Sequence, residues 1–266
     1  MPAMMYLRKK AILLASLLVA AGLSIAAGLV SARSLTLAAE DDFYPFSAVR
    51  DGELVGFVPA LTRAAFNAVG TEVQFQTGPF SRVLYLVESG RLIGGFTGAI
   101  DDSNRSAFHW HKTPIGTVQL AIWARTGEAG KGLGVEDLEG QDVSVTRGFF
   151  NTDEVDQNPR INRIVAPSDE SSLKMLALGR SDFALVTDKI GQTILRGKAE
   201  SAAERKVEIV GFIDEVDLYV FFSKTHPKGK AAAELFQRGL EAIISNGTYE
   251  RLARQWLPDP APVASE

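Results

Sequence analysis

The chain has 266 residues, 46% of them hydrophobic, with 28 Lys and Arg against 32 Asp and Glu for a net charge of −4, enough apolar material for one large or two modest domains. It has no cysteine, which excludes disulfides, a thiol nucleophile and a lipid-modified cysteine. The acidic balance argues against nucleic acid and anionic membrane as partners.

Residues 1–32 carry Arg8-Lys9-Lys10, an apolar run over 11–30 and the small-x-small exit Val30-Ser31-Ala32, which predicts a cleavable secretory signal peptide. The run is close to the ~20 residues of a membrane span, so retention as an N-terminal anchor is the competing reading. Cleavage after Ala32 removes three positive charges and no negative one, leaving 25 basic against 32 acidic residues, a balance of −7. The expected location is the periplasm.

Beyond the leader, residues 34–39 alternate as a strand, Phe43-Tyr44-Pro45-Phe46 forms an aromatic loop, and Arg50-Asp51-Gly52-Glu53 reads as a hairpin turn. A helix is expected over 57–69, with Pro59 tolerated in its first turn and Gly70 past its end. Strand 73–76, helix 80–88 and strand 92–96 follow. Gly94-Gly95-Phe96-Thr97-Gly98-Ala99-Ile100-Asp101-Asp102-Ser103-Asn104-Arg105 then reads as a buried strand, a glycine turn and a helix start. Its glycines allow close approach of a ligand to the backbone, its helix start offers N–H donors to an anion, and Arg105 adds a bidentate fork. The alternative is a local pair of Arg105 with Asp101 or Asp102.

A strand over 117–124 and a Gly-rich break at 127–134 lead, past a helical turn at 135–138, into a second α/β series. That series comprises strand 143–146, a glycine turn at Gly148, a helix from about Asn151, strand 161–165, helix 169–178, strand 183–187 and helix 189–196. Strands 207–212 and 218–223 and helices 229–245 and 249–256 complete the chain before a Pro-containing tail at 258–266. Strands alternating with helices predict a doubly wound, largely parallel α/β architecture. Two such units facing one another enclose a cleft at their strand ends.

Several residues have two readings. His109-Trp110-His111 has metal-site spacing but no nameable third ligand, so no metal is expected. Trp123 and Trp256 read as anchors in a core or on a surface. Arg147 beside Gly148 is either an anion contact or a solvated arginine. No Ser-His-Asp order or phosphate loop is present.

The order Phe43-Tyr44-Pro45-Phe46, Gly52-Glu53-Leu54-Val55-Gly56-Phe57, Pro79-Phe80-Ser81-Arg82, Ser89-Gly90-Arg91 and Gly98 through Arg105 resembles the bacterial extracellular solute-binding proteins of family 3, the periplasmic amino-acid-binding proteins of ABC transporters. The resemblance continues through Leu138-Glu139-Gly140-Gln141-Asp142-Val143, Gly148-Phe149-Phe150, Gly179-Arg180-Ser181-Asp182, Thr187-Asp188, Asn246-Gly247-Thr248-Tyr249 and Trp256. It implies a type II periplasmic-binding-protein fold: two doubly wound α/β lobes joined by a two-strand hinge. One lobe would be 34–117 with 218–257, the other 118–217. It implies that Arg105 holds a ligand carboxylate together with backbone donors at Gly98, Ala99, Ile100, Gly148, Phe149 and Phe150. Asp188 would hold an ammonium, Asp188 as a helix cap being the alternative. Phe43, Tyr44 and Phe80 would line the side-chain pocket.

Four places depart from the family pattern. Asp102 stands where Thr or Ser is usual, Phe149 and Phe150 replace small hydroxyl residues, Val58-Pro59 replaces an Asp-containing helix start, and Gly94-Gly95 sits where an acid often ends the strand. The implied partners are a small-molecule ligand, an amino acid or similar, and a membrane permease. No cofactor is implied, and a monomer is expected. The competing class is an enzyme on this scaffold, a dehydratase of aromatic precursors with Asp102 as its candidate acid. Regulatory modules on the same scaffold would need a partner domain, which is not expected here.

Overall fold

The computed structural model describes residues 34–102, 104–197 and 206–257. The signal-peptide reading at 1–32 and the tail at 258–266 lie outside them. Among the described residues no helix is long and apolar enough to cross a membrane.

Strand β1 (Ser34–Glu40) pairs in parallel with β5 (Glu72–Gly78) and with β6 (Gly94–Gly98). Between β1 and β5, the short strands β2 (Asp42–Phe43), β3 (Ser47–Arg50) and β4 (Glu53–Val55) form a small antiparallel sheet. Its β3–β4 turn places Asp51 and Gly52 at φ of 52° and 81°, the left-handed pair that a tight hairpin requires. Helix α1 (Phe57–Ala68) buries Phe57, Val58, Leu61, Thr62, Ala65 and Phe66 as one stripe, the three-and-four spacing of an amphipathic helix. Helix α2 (Phe80–Glu88) buries Phe80, Val83, Leu86 and Val87 in the same way.

Strand β7 (Phe108–Trp110), which no pattern predicted, precedes the long β8 (Gly116–Arg125). After a 3-10 turn at Val135–Leu138 come β9 (Asp142–Thr146), α3 (Asp153–Asp156) and β10 (Asn162–Ala166). Helix α4 (Asp169–Ala177), β11 (Phe183–Thr187), α5 (Asp188–Gly197), β12 (Val207–Ser223), α6 (Gly229–Ser245) and α7 (Thr248–Trp256) follow.

The main sheet has the order β10-β9-β11-β8-β12-β6-β1-β5, with β7 on β12. Its parallel pairs lie toward the two ends, β1 with β5 and β6, and β9 with β10 and β11. The middle is antiparallel: β12 runs along β8 from Val207 to Leu218, then along β6 and β7 to Ser223. Two register shifts interrupt the β8 pairing, and such irregularities bend and twist a strand. The chain therefore has a first half around β1, β5 and β6 and a second half around β9, β10 and β11. The 3-10 turn, β9 and β11 enclose a core of Leu138, Val143 and Leu185 in the second half. The largest core belongs to the first half and includes Leu37, Phe57, Phe66, Phe96, Phe222 and Phe236.

Three elements differ from the sequence reading. Strands expected at 207–212 and 218–223 are one strand of 17 residues. The acidic stretch Asp214-Glu215-Val216-Asp217 resembles a break, but Glu215, Val216 and Asp217 pair with Gln119, Val118 and Thr117, and the Thr117 hydroxyl donates to Asp217 Oδ1 at 2.9 Å. The helix expected after Ile100 does not form. Asp101 N donates to Asn104 Oδ1 at 3.0 Å and Asn104 N to Asp101 Oδ1 at 2.9 Å, local bonds that compete with helix propagation. The helix expected from Asn151 is the single turn α3, which Pro159 follows closely.

Trp123, in β8, is 2% exposed and its indole N–H donates to the Val186 carbonyl at 2.9 Å. A Cβ at Gly191 would stand 2.3 Å from Trp123 Cζ2, and the ring cannot retreat without losing that bond. We expect Gly191→Ala to destabilise the fold by about 1–3 kcal/mol, lowering the melting temperature by roughly 2–12 °C in thermal unfolding.

Candidate functional site

A cavity of about 450 Å³ opens at the carboxyl ends of β6, β9 and β11, within the range that small-ligand sites occupy. The first half lines it with Phe43, Phe80, Thr97, Gly98, Ala99, Asp101, Asn104, Phe108, Trp110 and Phe221. The second half contributes Gly148, Phe149, Phe150, Asn151, Asp169 and Thr187.

Phe149 joins the two walls. Its ring stands edge-on to Phe43 at 5.5 Å and to Phe80 at 5.2 Å between centroids, a favourable aromatic geometry. Gly148 supports the turn that leads into Phe149, at φ 81°, a conformation glycine adopts without steric cost.

Glycines 94, 95 and 98 have a different cause from the ligand approach expected of them. A Cβ on Gly94 would meet the Phe221 carbonyl at 2.6 Å, one on Gly95 Val83 Cγ1 at 2.7 Å, and one on Gly98 Phe221 Cδ1 at 2.6 Å. At these three positions β6 lacks a side chain, and Phe221 and Phe222 of β12 and Val83 of α2 pack against it. Thr97, between Gly95 and Gly98, holds φ 68°, a conformation costly for a β-branched residue. That backbone brings its hydroxyl to Glu40 Oε2 at 2.7 Å.

Two carboxyl groups are buried here. Glu40, at the end of β1, is 4% exposed; burial lifts its pKa well above the usual value, and the negative field of Asp169, Asp42 and Asp41 adds to this against the Thr97 hydrogen bond. Asp169, the first residue of α4, is also 4% exposed, and burial pushes its carboxyl up to about 7 although the Thr146 hydroxyl donates to Oδ1. Asp42 raises it further, while Oδ2 is buried without a hydrogen-bond partner.

The residues singled out in the sequence fall into two groups. Phe43, Phe80, Gly98, Ala99, Gly148, Phe149 and Phe150 lie on the cavity wall, whereas Tyr44, Ile100, Asp102, Arg105 and Asp188 are not among its lining residues. Tyr44 stacks under Arg50, whose guanidinium is 3.8 Å from its ring centroid. The Arg105 and Asp102 side chains are 65% and 74% exposed and face each other at 3.9 Å. They hang from the segment whose neighbours Asp101 and Asn104 do line the cavity. Asp188 opens α5 next to the lining residue Thr187, half-buried, with Oδ1 lacking a hydrogen-bond partner. Arg147 is exposed, outside the lining.

His111 is a core residue: it accepts a hydrogen bond from the Val220 amide at 2.9 Å, and burial pushes its pKa down to about 3. Thr97, Asn104, Trp110 and Asp169 carried no site signal in the sequence, since burial and an unpaired oxygen are tertiary facts.

The profile of the bacterial extracellular solute-binding proteins, family 3, matches residues 35–259. The arginine-binding protein ArgT of Corynebacterium glutamicum is 29% identical over 237 residues, covering 84% of this chain and 73% of that one. A histidine kinase sensor domain with similarity to periplasmic binding proteins superposes with a TM-score of 0.77 at 23% identity, covering 87% of this chain and 99% of that one. An ancestral arginine-binding protein bound to arginine reaches 0.72 at 21% identity, with 84% and 98% covered. The fold is thus that of the periplasmic binding proteins.

Between pH 3.8 and about 7 the folded Asp169 carboxyl stays protonated while that of the unfolded chain ionises, so the folded state binds more protons and stability falls as pH rises. We expect Asp169→Asn to melt above the parent in the ligand-free state at pH 8 and to lose that advantage near pH 4, in paired thermal unfolding at the two pH values.

Proposed function

The chain belongs to the bacterial extracellular solute-binding proteins, family 3, and from that premise we propose that it captures an amino acid between two lobes and delivers it to the membrane permease of an ABC transporter. The lobes would be 34–117 with 218–257 and 118–217, β8 and β12 serving as the hinge. Export across the inner membrane by a cleaved signal peptide, and action as a monomer, belong to the same reading. The observation that carries it is the aromatic junction of Phe149 with Phe43 and Phe80, which makes one cavity out of side chains from both halves. Two of the relatives are named for arginine, so arginine is the first ligand to test.

In this reading Arg105 takes the ligand carboxylate, swinging inward from the rim while the Gly98, Ala99 and Ile100 backbone and the turn at Gly148, Phe149 and Phe150 supply further donors. Its exposed pair with Asp102 is no obstacle, because such surface pairs contribute about 0–1 kcal/mol. Asp188 takes the ammonium.

A second reading has one observation in its favour. A carboxyl that titrates at about 7 on a cavity wall has the protonation a general acid needs near neutral pH, and a dehydratase would use Asp169 for it rather than the exposed Asp102. Incubation with prephenate or arogenate decides this by the appearance or absence of an aromatic product.

Charge-assisted hydrogen bonds are worth about 1.5–3 kcal/mol each. Arg105→Ala is therefore expected to weaken arginine binding at least tenfold and to erase most ligand-induced thermal stabilisation, with the ligand-free melting temperature unchanged. Undiminished stabilisation in a thermal-shift titration would remove Arg105 from the site.

A further inference from the structure

The Asp169 carboxyl has one oxygen occupied and one waiting. Thr146 fixes Oδ1 from β9, while Oδ2 is buried and has no hydrogen-bond partner. A carboxylate oxygen buried in that state is costly, and the cost falls when it takes up a proton or when a donor arrives. Among the described residues no lysine or arginine pairs with it. The favourable field at the start of α4 accounts for an acid at this position but not for the orphaned oxygen.

The surroundings specify the donor. Glu88, Asp101, Asp153, Asp156 and Asp169 line the cavity, and none of its lining residues is a lysine or an arginine. The titratable groups whose field reaches this corner are also acids, Glu40 at the end of β1 and Asp42 of β2, while Glu170 follows on α4 and β9 presents the neutral Thr146. A neutral donor would fill the oxygen and leave this negative potential in place. A cation both fills it and cancels the field.

We propose that Asp169 is the specificity residue of the cavity, its free oxygen receiving the positively charged side-chain end, guanidinium or ammonium, of a cationic amino acid. This rests on the cavity being the amino-acid site. Binding then removes the proton that Asp169 carries in the ligand-free state, so ligand uptake and proton release are coupled. With the free carboxyl titrating at about 7, arginine affinity should rise roughly thirtyfold from pH 5.5 to pH 8.

The experiment is calorimetry of the purified protein with L-arginine and with L-citrulline, which keeps the shape and the α-ammonium but has no side-chain charge. The parent should prefer arginine at least tenfold, and Asp169→Asn should bind the two within about threefold and lose most of the pH dependence, any remaining slope belonging to Glu40. Equal binding of both by the parent overturns the assignment and leaves the amino-acid reading intact. So does an arginine preference that survives in the variant, or turnover of prephenate that the variant lacks. If neither amino acid, nor any other, binds the parent, the amino-acid reading falls and this assignment with it. The parent's own preference and its pH profile decide the matter even where Asp169→Asn does not fold.

Discussion

Everything in the molecule hangs on the long strand β12. Over its first two thirds it pairs with β8, and over the remainder with β6 and β7, so a single strand is shared by both halves of the sheet. Two of its register shifts fall within the β8 pairing and a third between Tyr219 and Val220 against β6, irregularities at which a strand bends and twists. The Phe221 ring near its end packs across glycines 95 and 98 and lines the cavity together with Phe80 and Phe108. The strand that ties the halves together thus also builds the surface on which a ligand would rest.

The two walls of the cavity meet through apolar contact. Phe149 between Phe43 and Phe80 buries aromatic surface from both halves, a non-directional attraction that favours approach of the walls whatever lies between them. Polar burial works the other way: Glu40 and Asp169 are each 4% exposed, and burial favours their neutral forms.

Much of this architecture was legible from pattern. The hairpin turn at Asp51-Gly52, the stripe of α1, the glycine turn at 148 and the paired α/β series all follow from local rules and stand where those rules place them. What was illegible depends on contacts distant in sequence. The acidic break before Leu218 becomes strand because β8 supplies its partners. The glycines of β6 read as room for a ligand, and the atoms closest to them belong to Phe221, Phe222 and Val83. The helix after Ile100 loses to the reciprocal bonds of Asp101 and Asn104, a pairing that looks from composition like a helix start.

Asp169 shows why a functional carboxyl hides in plain sequence. Ser168-Asp169-Glu170 is an ordinary helix beginning, and Ser168 does cap α4 by accepting from the Ser171 amide. The same three residues on an exposed helix would carry no further meaning. What changes their meaning is that the helix start faces inward, where Thr146 can satisfy one oxygen but not the other. A protein selected for stability alone would place an amide or an apolar side chain there and avoid the buried carboxyl. Keeping the acid makes sense where its unfavourable free state is relieved by a ligand, because the relief then appears as affinity for ligands of the right charge and for no others.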